Sequence, residues 1–131
     1  MHESRIRVGF ILAGLYNLGI ILFSRGFSDA LGSVDPLFGS EGSFLILLWG
    51  LAYLGTRSVY ASAPLLVGVF CIEKLFYFQH WVQWLMEEGD SLSQLWASDP
   101  LTAMFYAIYG FGDALFAVFF GVVAWSHRAQ S

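Results

Sequence analysis

Charge is scarce in this sequence: 12% of its 131 residues are Asp, Glu, Lys or Arg, against about 25% in soluble globular domains. That shortage excludes an ordinary water-facing fold. The six cationic residues form no cluster longer than Arg5-Ile6-Arg7, so the basic stripe that nucleic-acid binding needs is missing. A single cysteine, Cys71, excludes an internal disulfide and a cysteine-built metal framework. No GxSxG, HExxH, Walker or GxGxxG pattern is present, so the recognised soluble catalytic constellations are absent. There is no internal repeat and no low-complexity tract.

What the chain does have is apolar length. Hydrophobic residues make up 57% and aromatics 18%. Four stretches, about 8–23, 37–56, 64–86 and 101–126, are long enough at 1.5 Å per residue to cross a hydrocarbon core of about 30 Å. Lipid offers an open backbone no hydrogen-bond partners, so spans of this length must be helical. The expected fold is all-α: one domain, an integral-membrane antiparallel four-helix bundle. The stretch from Ile6 to Phe23 runs into Ser24-Arg25-Gly26 without a small-residue cleavage motif, which points to a retained first span and not a signal peptide. Asp35-Pro36 and Asp99-Pro100 each place a capping carboxylate before a proline at a helix start, and Pro64 opens the third span in the same way. The connection at 87–99 carries Leu92, Leu95 and Trp96 at helical spacing among polar residues. It fits a short interfacial helix or a plain loop.

Orientation follows from cation counts in short loops. Four spans put both termini on one side, together with the second loop, and that side holds Arg5, Arg7, Arg57 and Arg128. The other side holds Arg25 alone, beside Asp29, Asp35, Glu41, Glu87, Glu88, Asp90 and Asp99. Both termini are therefore expected in the cytoplasm, with the protein in the plasma (bacterial inner) membrane. Trp81, Trp84, Trp96 and Trp125 lie toward span ends, as interface anchors do.

Charges inside the spans carry the most information, because each costs about 2.5–3.5 kcal/mol at mid-helix on insertion scales. There are three, Glu73, Lys74 and Asp113, and all lie near the centre of their spans. Adjacent helical residues point about 100° apart, so Glu73 and Lys74 need partners on other helices. The simplest arrangement sets Asp113 opposite Lys74 and turns Glu73 toward Asn17, Tyr16 or the Trp49/Tyr53 edge. The face through Glu73 continues to Tyr77, His80 and Trp84, and the face through Asp113 includes Tyr106, Tyr109 and Phe116. Together these would line a polar seam running toward the acidic side. Two carboxylates against one ammonium leave one negative charge over, so a proton or bound cation is expected there.

Other features are open to more than one reading. Gly9, Gly14, Gly19, Gly50, Gly55, Gly110 and Gly112 permit close helix approach within the bundle or at a dimer seam. Gly110 and Gly112 just before Asp113 also allow a loosened turn that exposes carbonyls. Haem would need a second axial ligand, and His2 and His127 lie at the face opposite His80. No cofactor or metal is predicted, although Phe70, Tyr77, Tyr106 and Tyr109 could form a quinone or lipid cleft. Expected partners are the lipid bilayer and either a second copy or another membrane protein.

In size, four-span layout, short cytoplasmic hairpin and mid-membrane polar residues, the chain resembles the small bacterial membrane proteins grouped as DoxX-like. Tyr16-Asn17, the run Trp49 to Tyr53 and Glu73-Lys74-Leu75 look like fixed signatures of a narrower family. The resemblance covers the whole chain and implies a membrane subunit associated with redox or quinone-linked partners. Two functions fit the residues. In one, the Glu73/Lys74/Asp113 cluster with Asn17 binds a small solute, ion or proton in transport or sensing. In the other, the chain is a non-catalytic subunit or scaffold whose buried charges fix helix packing. A redox or lipid-modifying enzyme is the weaker third class.

Overall fold

The computed structural model describes residues 2–130, and every regular element among them is helical. In chain order these are α1 (Glu3–Leu18), α2 (Ile20–Phe23), α3 (Ser40–Thr56), α4 (Pro64–Glu88), α5 (Leu92–Ser98) and α6 (Pro100–Ser126). Among the described residues three helical stretches are long and apolar enough to cross a membrane: Glu3–Phe23, Pro64–Ser98 and Pro100–Ser126. The first comprises α1 and α2, joined through Gly19, which stays in the right-handed region.

The second expected span, 37–56, forms a helix shorter than its hydrophobic run. Asp35 does cap, accepting a hydrogen bond from Leu37 N at 3.1 Å, but what it caps is a 3-10 turn, Pro36–Phe38. Gly39 is extended and α3 begins at Ser40. The turn is folded against the first turn of α3: Gly42 lies on the Leu37 carbonyl so closely that any Cβ would collide with it, and Ser43 Oγ donates to Phe38 O at 3.0 Å. The remaining 17 residues of α3 reach about 26 Å. At the other end of this loop, Arg25, Gly26 and Phe27 are consecutive left-handed residues. Ser24 Oγ accepts from Phe27 N at 2.9 Å and the Phe27 ring meets Phe44 edge-on at 5.9 Å, contacts that hold a conformation costing about 1–2 kcal/mol per non-glycine residue.

Asp99 behaves as its sequence context predicts. It caps α6 by accepting from Thr102 N and, at 2.7 Å, from Thr102 Oγ. The 87–99 connection is helical, with a 3-10 turn at Gly89–Ser91 and then α5, whose Trp96 is exposed.

The chain divides into two compact units, one ending at Ser58 and the other beginning at Val59. In the first, α1 packs on α3 in antiparallel fashion. Gly14 and Gly50 set the approach: a Cβ on Gly50 would stand 2.8 Å from Asn17 Cβ and 3.1 Å from the Gly14 carbonyl oxygen. In the second, α4 packs antiparallel on α6. Phe70 meets Phe120 at 5.4 Å near one end, and Trp84 stacks on Tyr106 at 4.8 Å near the other. Along α6 the buried residues Thr102, Tyr106, Tyr109, Asp113, Ala117 and Phe120 recur every three or four positions, which is one face of a helix.

Gly50 and Gly55 of α3 are thereby separated in kind. Gly50→Leu overfills the α1–α3 contact and should cost about 1–3 kcal/mol, read as a lowered unfolding midpoint in detergent. Gly55→Leu has open space around it and should leave that midpoint unchanged or slightly raised.

Candidate functional site

Two of the three mid-helix charges, Lys74 and Asp113, meet on the α4–α6 hairpin. Lys74 Nζ lies 2.9 Å from Asp113 Oδ1, and the two side chains are 2% and 7% exposed. This is the pairing the sequence predicts, and it follows from helix geometry. Lys74 lies on the face of α4 that carries Phe70 and Trp81, and Asp113 lies on the face of α6 that carries Tyr109 and Phe120. Phe116, one turn on from Asp113, sets its ring 5.9 Å from Lys74 Nζ, a cation–π distance. Glu73, the residue before Lys74, is also buried.

Magnitudes decide what the pair contributes. Two isolated charges at mid-helix in lipid cost together about 5–7 kcal/mol on insertion scales. Opposite unit charges at this separation attract by about 6 kcal/mol at an effective dielectric constant of about 20. Cost and gain nearly cancel, so the pair adds little net stability and acts chiefly on register. Removing one partner leaves the whole cost of the other.

Rings pack together on the same hairpin. Trp84 stacks on Tyr106, Phe105 stacks on Tyr109 at 5.0 Å, and Trp81 meets Tyr109 edge-on at 6.3 Å. Trp81 and Trp84, expected as interface anchors, belong to this packing. Trp84 is buried and its Nε1 has no hydrogen-bond partner, whereas Trp96 and Trp125 are exposed as anchors should be. Trp81 Nε1 donates to the Tyr106 carbonyl at 2.8 Å, and its indole lies so close to Gly110 that a Cβ there would collide with the ring. Gly110 therefore does not loosen α6, which runs unbroken through Gly110 and Gly112. It makes room for Trp81. The signal was in the sequence: an antiparallel register that sets 74 against 113 also brings 81 toward 110.

The other predicted residues take these positions. Tyr77 and His80 are half-buried on α4, at 5.3 Å and 6.2 Å from the Phe76 ring. Tyr109 is buried on α6. Asn17, Tyr16, Trp49 and Tyr53 lie in the first unit, where Asn17 Nδ2 donates to the Ile46 carbonyl at 3.0 Å and so ties α1 to α3, and where Tyr53 is fully buried. Tyr16 and Trp49 are half-buried. Among the described residues no group of three His, Cys, Asp or Glu side chains is arranged to hold a metal ion. Of the residues considered for a quinone or lipid cleft, Phe70, Tyr106 and Tyr109 pack against other rings. An apolar groove of about 630 Å³ lies elsewhere on the hairpin, along Cys71, Leu75, Phe78, Ala114 and Val118.

The indole contact makes a sharp expectation. Gly110→Ala should lower stability by about 1–3 kcal/mol through overpacking and shift tryptophan fluorescence. Gly68→Ala, a helical glycine with nothing within 4 Å of its would-be Cβ, should be neutral or stabilising by about 0.5–1 kcal/mol. Equal effects at the two positions would remove Trp81 from this account.

Comparison with protein-family models, curated proteins and solved structures returns no match for the chain.

Proposed function

We propose that the chain is a small four-span membrane protein, both termini cytoplasmic, in which the Lys74–Asp113 pair and the adjoining Glu73 form a proton- or cation-responsive centre used in transport or sensing. The observation that carries this is the burial of three ionisable side chains at the middle of two paired helices. Their formal charges sum to −1 at neutral pH. Ionisable groups at this depth typically mark ion pathways, proton relays and counter-ions. The role assigned to each residue is specific: Asp113 and Lys74 hold each other and fix the helix register, and Glu73 carries the exchangeable proton or cation. α3, at 17 residues, serves as the second span with help from the 3-10 turn before it. The layout shared with DoxX-like proteins supports a bacterial inner-membrane setting.

One specific observation favours a second reading, a scaffold with no transport activity. The Lys74–Asp113 contact is direct and nearly fully enclosed, as a purely structural strut would be.

Flux measurements separate the two. In liposomes under an imposed potassium diffusion potential, wild-type protein should conduct protons or small cations above protein-free vesicles. Glu73→Gln should abolish that flux while leaving helicity and gel-filtration behaviour intact. Wild-type flux equal to that of empty vesicles, or unchanged flux in Glu73→Gln, would leave the scaffold reading standing.

A further inference from the structure

We infer that the outward face of α4 is the contact surface of a homodimer, two copies meeting about a two-fold axis along the membrane normal. This rests on the proposed insertion of α4 in the bilayer, but not on the role proposed for Glu73.

α4 presents Val69, Ile72, Phe76, Gln79, Gln83 and Met86 along one side, at alternating spacings of three and four. That is the heptad seam of a left-handed helix pair. All six are exposed, Ile72 at 68% and Met86 at 82%. Apolar exposure alone says nothing in a membrane, where lipid covers it. The two glutamines are different. Measured along the helix from its middle, Gln79 lies about 4.5 Å away and Gln83 about 10.5 Å away, both within the roughly 15 Å half-thickness of the hydrocarbon.

A primary amide in lipid must find partners or pay several kcal/mol. Within α4, Gln79 Nε2 donates to Gln83 Oε1 at 3.0 Å, and Gln83 Nε2 donates to Glu87 Oε1 at 3.5 Å. Each amide has two N–H donors and an oxygen with two lone pairs. The ladder therefore leaves one N–H of each glutamine, and the Gln79 oxygen, directed at the seam's surroundings. The exposed face of α6 provides the contrast. Met104, Ile108, Phe111, Leu115, Val118 and Val122 are all apolar, as a face that meets only lipid should be.

A second copy fits this seam because an amide is both donor and acceptor and so complements itself. Two chains inserted the same way bring like residues to the same depth, and an isologous contact sets Gln79 beside the partner's Gln79. Apolar positions on either side supply the knobs-into-holes packing, and the polar layers fix register and stoichiometry, as polar seam residues do in coiled coils and membrane helix pairs.

The test is thiol cross-linking in native membranes, in the full chain with Cys71→Ala as background. Ile72→Cys and Phe76→Cys keep both glutamines and should yield a species of twice the mass with a short bifunctional thiol reagent. Phe111→Cys and Val118→Cys, exposed on α6, should not. Adding Gln79→Leu and Gln83→Leu to Ile72→Cys should lower the cross-linked fraction roughly tenfold at high lipid dilution, the change expected for about 1–2 kcal/mol of interhelical hydrogen bonding. Resistance to carbonate extraction confirms insertion of every variant, so a failure to dimerise is distinguished from a failure to insert. Equal cross-linking on α4 and α6, products joining only a different protein, or a dimer indifferent to both glutamines would each overturn the inference.

Discussion

The contact between Lys74 and Asp113 constrains everything else on the α4–α6 hairpin. Neither charge is tolerable alone at the centre of an apolar helix. Once they must meet at 2.9 Å, the antiparallel register of the two helices is fixed to within a turn. Phe70 is then placed against Phe120, Trp81 against Gly110, and Trp84 against Tyr106. Helix pairs in an apolar medium gain little from hydrophobic sorting, because lipid tails are as apolar as leucine. A polar contact that nearly breaks even in energy can still decide which of several equally greasy alignments is adopted.

The first unit reaches the same end without charge. Gly14 and Gly50 let α1 and α3 approach until backbone meets backbone, and Asn17 adds a single hydrogen bond to the Ile46 carbonyl. Close approach increases dispersion contacts and brings an amide within reach of a carbonyl that already serves its own helix. One unit thus relies on small residues and the other on a buried ion pair. Both are known ways of giving membrane helices a preferred neighbour.

Helix positions, the cap at Asp99 and the Lys74–Asp113 pairing were all legible in the sequence, because each depends on local chemistry or on the rarity of a charge. The start of α3 was not. Asp35-Pro36 is a genuine cap, but nothing short of the fold shows that the Leu37 carbonyl sits against Gly42 and turns the chain before the helix begins. Trp81 and Trp84 depart from the expected anchor role for a related reason. Their nearness to a span end suggested interface anchors, whereas the register imposed by the ion pair turns Trp81 and Trp84 inward. The same register converts Gly110 from a candidate hinge into a seat for an indole. Trp84, Tyr106 and Tyr109 pack as rings because tyrosine and tryptophan present a large apolar face as well as a polar atom.

Lys74 and Asp113 stabilise each other and thereby set the register of the hairpin. A double-mutant cycle in bilayers or mixed micelles measures this directly. Lys74→Met or Asp113→Leu alone should each cost about 3 kcal/mol, since each leaves a buried charge without its partner, and the combined variant should recover most of that loss. Additive losses, or single variants as stable as the parent, would contradict the account.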